Sequence, residues 1–243
     1  KVDDIKNLID QQQWTAAITE WNTLSAAGQA GRDNKVLLAS AYAGRGGLNV
    51  LTIANNMASM VGTPFQIMMK MFTGATIASF NDEVMAESIM QGISPTAAGR
   101  TTDENTFMLF VEMAKLGTLL AAEADTNADQ VVDAAYNNCT ATTNAQADHI
   151  VTGLGNIVDV TSVIGATLAG GLAPLLAACG GLGGMCAITD TASVTAMQER
   201  IAKTLAGETA QSIGLAAATT AGQCELALPV FCPGAPVPNN LCP

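Results

Sequence analysis

The chain has 243 residues, 49% of them hydrophobic and 13% charged, with ten Lys+Arg against 21 Asp+Glu and a net charge of −11. That length can bury a sizeable core without a cofactor or metal, while the acidic balance excludes nucleic acid and anionic membrane surfaces as natural partners, because both need clustered cations. Such an apolar chain is expected to offer interior-like surface to a protein partner or an apolar small ligand.

Six cysteines, Cys139, Cys179, Cys186, Cys224, Cys232 and Cys242, all fall in the second half and form no Cys-x-x-Cys pair, and His149 is the only histidine. Structural zinc is therefore not expected. The even count predicts up to three disulfides in an oxidising compartment, with the pairing open.

Residues 2 to 60 carry the clearest helical periodicity. Ile5, Leu8, Ile9, Trp14, Ala17, Ile18, Trp21 and Leu24 recur at intervals that fit one buried helical face. The run Ala26 to Gly31 breaks the pattern, and Asp33 or Asn34 is positioned to cap the next helix, which carries Leu37, Leu38, Ala41 and Tyr42 and stops at Gly44-Arg45-Gly46-Gly47. A further helix is predicted from Leu48 to Met60. Short helices joined by tight glycine turns make antiparallel pairs.

Leu38-Ala39, Tyr42, Gly46, Leu48 and Leu51 follow the spacing of a tetratricopeptide (TPR) repeat, and Gln13 to Ile18 with Trp21 is similar to the second helix of such a repeat. The resemblance covers about 50 residues and departs from the family pattern at Ala39, Leu48 and Leu51. It resembles the TPR-like lipoproteins and transporter-associated subunits of bacterial envelopes. That implies a scaffold or binder rather than a catalyst, and a location in the periplasm or at the outer membrane of a Gram-negative bacterium. Membrane attachment is then expected only through a lipid anchor outside this chain.

Between Met57 and Met90 lie seven methionines and three phenylalanines. Such a set packs a loose core or forms an adaptable apolar ligand surface, for which Met57, Met60, Met68, Met71 and Phe72 are the candidates. Thr101 and Glu104 have capping-box spacing and open a long helix through Phe107, Phe110, Val111, Ala114, Leu116 and Leu119 to about Ala122.

Asp125, Asn127, Asp129 and Asp133 place oxygen side chains at positions 1, 3, 5 and 9 of a loop in which the carbonyl of Val131 supplies position 7. The first nine positions resemble the calcium loops of EF-hand and dockerin modules, which implies weak Ca²⁺ binding. The loop departs from them at Gln130, where glycine makes the turn, and at Tyr136, where a glutamate closes the shell. A solvated turn between helices is the alternative.

From Val160 to Thr189 there is no charged side chain. The run is long enough to span a bilayer. Its seven glycines, Pro174 and flanking aspartates nevertheless favour a central helix, apolar all round, from His149 to about Ala178 or 179. Asp190 to Ser193 is expected to start another helix ending at Gly207, with Glu199 and Lys203 as a surface pair. A short helix to Ala218 should follow, and then a Pro/Cys-rich tail, 224–243, stapled onto a single domain, 1–223.

The expected fold is all-α: a helical bundle with TPR-like antiparallel pairs around a central uncharged helix. The expected function is a non-enzymatic scaffold or ligand-binding subunit of an envelope complex. The alternatives are a membrane-active protein inserting residues 160–189 and a hydrolase using His149. The latter lacks a Gly-x-Ser-x-Gly elbow, and the glycine run 180–184 lacks the Lys-Ser/Thr of a phosphate loop.

Overall fold

The computed structural model describes residues 1–51, 53, 63–164, 185–207 and 232. These form α-helices and short 3-10 turns with no strand, so the all-α expectation holds. Helices α1 (Val2–Asp10), α2 (Trp14–Trp21), α3 (Ala26–Ala30) and α4 (Arg32–Gly46) make an N-terminal layer. They are followed by α5 (Pro64–Met71), α6 (Ile77–Gln91), α7 (Thr102–Ala124), α8 (Asn138–Ala141), α9 (Asn144–Ile164) and α10 (Ala196–Ala206).

The first periodic run is two helices rather than one. Gln12 adopts φ 58°, and the N–H groups of Gln12 and Gln13 donate to the carbonyls of Ile9 and Leu8 at 2.9 and 2.8 Å. This is the double bond of a left-handed helix end, made without glycine. The hairpin it creates buries Ile5, Ala17 and Ile18 against Leu38 and Ala41 of α4. The indole N–H of Trp21 donates to the carbonyl of Asn34 at 2.9 Å and fixes α2 on the start of α4.

Neither Asp33 nor Asn34 caps α4. The cap position is Gly31, and the Asn34 amide instead donates to the carbonyl of Gly28 at 2.8 Å. The helix ends as expected, at Gly47 with φ 111°, where Leu48 N–H bonds Ala43 O at 2.9 Å. Val50 and Leu51 are helical; most of the helix expected to Met60, including Met57 and Met60, lies outside the described residues.

Among the described residues the helix surrounded by its neighbours is α7. Thr101 accepts from Glu104 N–H at 3.2 Å while the Glu104 carboxylate accepts from Thr101 N–H at 2.7 Å, which is the predicted capping box. Beyond it α7 is buried almost throughout and packs on α5, α6 and α9. Gly117 allows the closest approach: a Cβ there would fall inside contact with the Phe72 ring and 2.8 Å from the Met68 carbonyl. Helix α9 covers α7 from the far side and begins at Asn144, before His149. The remainder of the helix expected to about Ala178 or 179 lies outside the described residues.

The last described helix starts later than expected. Asp190 caps only a 3-10 turn, Thr191–Ser193, and Thr195 with Gln198 forms the capping box of α10. Lys203 donates to Asn144 at 2.7 Å rather than pairing with Glu199, which ties α10 to the start of α9. The helix expected to Ala218 lies outside the described residues.

Candidate functional site: a buried charge cluster

Helices α6, α7 and α9 bring their polar residues to one interior point. Glu83 and Glu87 lie four apart on α6, Glu112 and Lys115 three apart on α7, and His149, Thr152 and Asn156 along one stripe of α9; each spacing places its set on a single helical face. Glu83, Glu112, Lys115 and Asn156 are completely buried and Glu87 is 4% exposed.

Lys115 is the hub. Its Nζ lies 2.6 Å from Glu112 Oε2 and 2.8 Å from Glu87 Oε2, and donates weakly to Thr152 Oγ1 at 3.5 Å. The Asn156 amide donates to Glu112 Oε1 at 2.8 Å and to Glu87 Oε1 at 3.0 Å, bridging the two carboxylates from the other side. Gln91 adds a donor to Glu87 at 3.3 Å. His149 stands at the edge, with Nδ1 3.8 Å from Glu87 Oε2 and its ring edge-on to Phe80 at 5.6 Å between centroids.

Burial pushes Glu87 up, but the Lys115 ammonium and His149 outweigh it and hold this carboxyl near pKa 2. Glu112 goes the other way. Burial and the Glu87 charge push it up to about 8, against the opposing pull of Lys115 and Asn156. Lys115 loses solvation on burial, yet two adjacent carboxylates raise it above its ordinary value. Glu83 rises well above the carboxylate range through burial and the nearby charges of Asp82 and Glu112. Among the described residues neither Glu83 oxygen has a regular hydrogen bond; Leu48 N–H, which pulls this carboxyl down, donates to the Ala43 carbonyl at 2.9 Å. Gly46 makes room for that carboxyl, since a Cβ there would lie 2.6 Å from Glu83 Oε1.

Nothing in the sequence reading singled out this cluster. Its signal was present: Glu112 and Lys115 are the only charges between Asn105 and Ala122.

The expected calcium loop lies elsewhere, after α7. Asp125 accepts from Asp129 N–H at 2.9 Å and Gln130 N–H at 3.0 Å, Asn127 from Asp129 N–H at 3.1 Å, and Asp129 from Val131 N–H at 2.8 Å. Gln130 adopts φ 66°, so it makes the turn for which glycine was missing. Asp133 is turned onto Thr126. Among the described residues no three His, Cys, Asp or Glu side chains converge as a metal group.

Met68 and Phe72, proposed for an apolar ligand surface, are core residues packed at Gly117, and Met71 is half-buried against the same core. The core-packing reading of the methionine set therefore describes Met68 and Phe72. Met57 and Met60 lie outside the described residues.

Cys139 and Cys232 form a disulfide with Cα atoms 5.3 Å apart, and Cys186 is also disulfide-bonded. The first bridge fastens residue 232 to α8 and α10, where Cys232 N–H donates to Thr204 at 3.3 Å and Asn138 donates to the Lys203 carbonyl at 2.6 Å. Cys179, Cys224 and Cys242 lie outside the described residues. No helix among the described residues is long and apolar enough to cross a membrane. No family model, curated protein or solved structure matches this chain.

Proposed function

We propose that the chain is a non-enzymatic scaffold or ligand-binding subunit of a bacterial cell-envelope complex, with TPR-like helix pairs at its N-terminal end. The observation that carries this reading is the fate of its reactive groups. Glu87, Glu112 and Lys115 are spent on one another in the interior, and among the described residues His149 faces Glu87 and Phe80. The disulfides at Cys139, Cys186 and Cys232 support an oxidising compartment. Calcium enters the same reading as a weak ligand of the loop from Asp125 to Asp133, with Gln130 making the turn.

The test is fractionation of a producing Gram-negative cell, with alkylation of the unfolded, unreduced chain. The chain should be recovered outside the cytoplasm with no reactive thiol, in an assembly larger than its own 24.8 kDa. Recovery as a cytosolic monomer with reduced cysteines would overturn the proposal.

A further inference from the structure

The interior of the α6–α7–α9 contact encloses more negative than positive charge. Two buried carboxyls, Glu87 and Glu112, share one buried ammonium, Lys115, and a third, Glu83, is buried near Glu112. The groups around them are already engaged. Arg45 of α4 is bound to Asp82 at 2.6 and 2.8 Å and stacks on Tyr42. Arg100 is held by Asn105, the Ser94 carbonyl and Asp159. On α9, Asp148 adds further negative charge beside His149, and His149, 24% exposed, can offset at most one carboxylate. An uncompensated buried carboxylate costs far more than a protonated one, so such a site neutralises itself by binding protons.

The hydrogen bonds fit that outcome. Among the described residues, both Glu83 oxygens and Asn156 Oδ1 are buried without a regular hydrogen bond. The oxygen and nitrogen of an amide exchange places by a half-turn about its last bond, and the assignment follows the network around it. With nitrogen inward, Asn156 donates to two ionised carboxylates; with oxygen inward, the same 2.8 Å contact accepts a proton carried by Glu112 Oε1.

We propose that this interior is a proton-binding site that keeps Glu83 and one carboxyl of the Glu87–Glu112 pair in the acid form at neutral pH, with the Asn156 amide adapting to the proton it meets. Proton release leaves an ionised pair around one lysine and loosens the packing of α6 and α9 on α7. His149, at the edge, lies on the path to solvent. Glu112 is pushed up to about 8 from an ordinary 4.5, so the native state binds more protons than the unfolded chain over that interval. The stability contributed by Glu112 therefore falls as pH rises from about 4.5 to about 8 and levels off above that, and Glu83, also raised, adds a fall of the same sign.

The experiment is infrared spectroscopy of the folded wild-type protein between pH 6 and 9, where exposed carboxyls are ionised and any protonated-acid carbonyl band comes from the interior. The band should be present at pH 6 and shrink reversibly by pH 9. Glu112→Gln and Glu83→Gln should each remove part of the band. The melting temperature of wild type should fall across this range and that of Glu112→Gln should fall less. Absence of the band in folded wild type at pH 6 overturns the proposal outright. A band unchanged by both substitutions overturns the assignment to these residues. Because the wild-type spectrum needs no variant, a substitution that fails to fold does not protect the idea.

Discussion

Lys115 Nζ on α7 lies 2.8 Å from Glu87 Oε2 on α6, and both side chains are shielded from solvent. The same nitrogen holds Glu112, so one cation offsets carboxylates from two helices. Removing one partner of a buried pair leaves the other charge uncompensated, which costs about 3–5 kcal/mol. Lys115→Met should reduce the free energy of urea unfolding by about that amount at pH 7, whereas Glu112→Gln, which mimics the protonated acid, should change it by less than about 1 kcal/mol.

Acid should destabilise the protein through a different set of groups. The Arg32 guanidinium donates to Glu104 at 2.6 and 2.5 Å and holds its carboxyl near pKa 2, and Glu87 is held near the same value. Both are depressed below the ordinary 4.5, so the unfolded chain binds more protons. The stability these carboxylates provide is complete above about pH 4.5 and is lost as pH falls toward 2. Urea midpoints between pH 5 and 2.5 should decline, and Arg32→Gln should flatten part of the decline.

The approach of α5 to α7 depends on the absence of a side chain at Gly117. Gly117→Ala would drive a methyl group into the Phe72 ring and the Met68 carbonyl. Overpacking of this kind costs about 1–3 kcal/mol, because the blocking atoms include backbone. Thermal unfolding of this variant should show the loss, and Phe72→Leu in the same chain should restore part of it.

In the loop after α7, Asp125 accepts two backbone N–H groups and is itself buried. Asp125→Ala should cost about 1–3 kcal/mol through the unsatisfied donors, with or without calcium. A loop with its closing ligand missing should bind calcium on the order of 10⁻⁴ to 10⁻³ M. Millimolar calcium should therefore raise the wild-type melting temperature slightly and leave Asp129→Ala unchanged. Identical wild-type curves in calcium and in chelator would reduce the loop to a turn closed by its own backbone.

Local signals were readable where they act locally. The Thr101–Glu104 capping box and the glycine end at Gly47 follow from two or three residues each, and the structure has both. The break at Gln12 was not readable, because a glutamine in the left-handed region carries none of the glycine signature. Freedom from charge points to Val160 to Thr189 as a buried helix, most of which lies outside the described residues. Among the described residues the surrounded helix is α7, whose two internal charges face partners contributed by α6 and α9. Pairing across more than 25 residues of sequence, as between Glu87 and Lys115, has no local signature. The methionines left a loose core and an adaptable surface both open, and only the tertiary contact with Gly117 places Met68 and Phe72 in the core.

In the proposed scaffold role the buried charges satisfy one another within the fold, and function resides in association with partners. That role is tested most directly by the combined variant Glu87→Gln, Glu112→Gln, Lys115→Met, in which the whole cluster is neutral and no charge is left unpaired. Its urea midpoint and its recovery in the extracytoplasmic assembly would be measured on the same preparation. This variant should unfold cooperatively near the wild-type midpoint, since a complete buried ion set can be replaced with little loss, and should be recovered in the assembly as wild type is. A variant that folds with the wild-type midpoint yet is absent from the assembly would contradict that role, because the cluster would then serve function rather than fold.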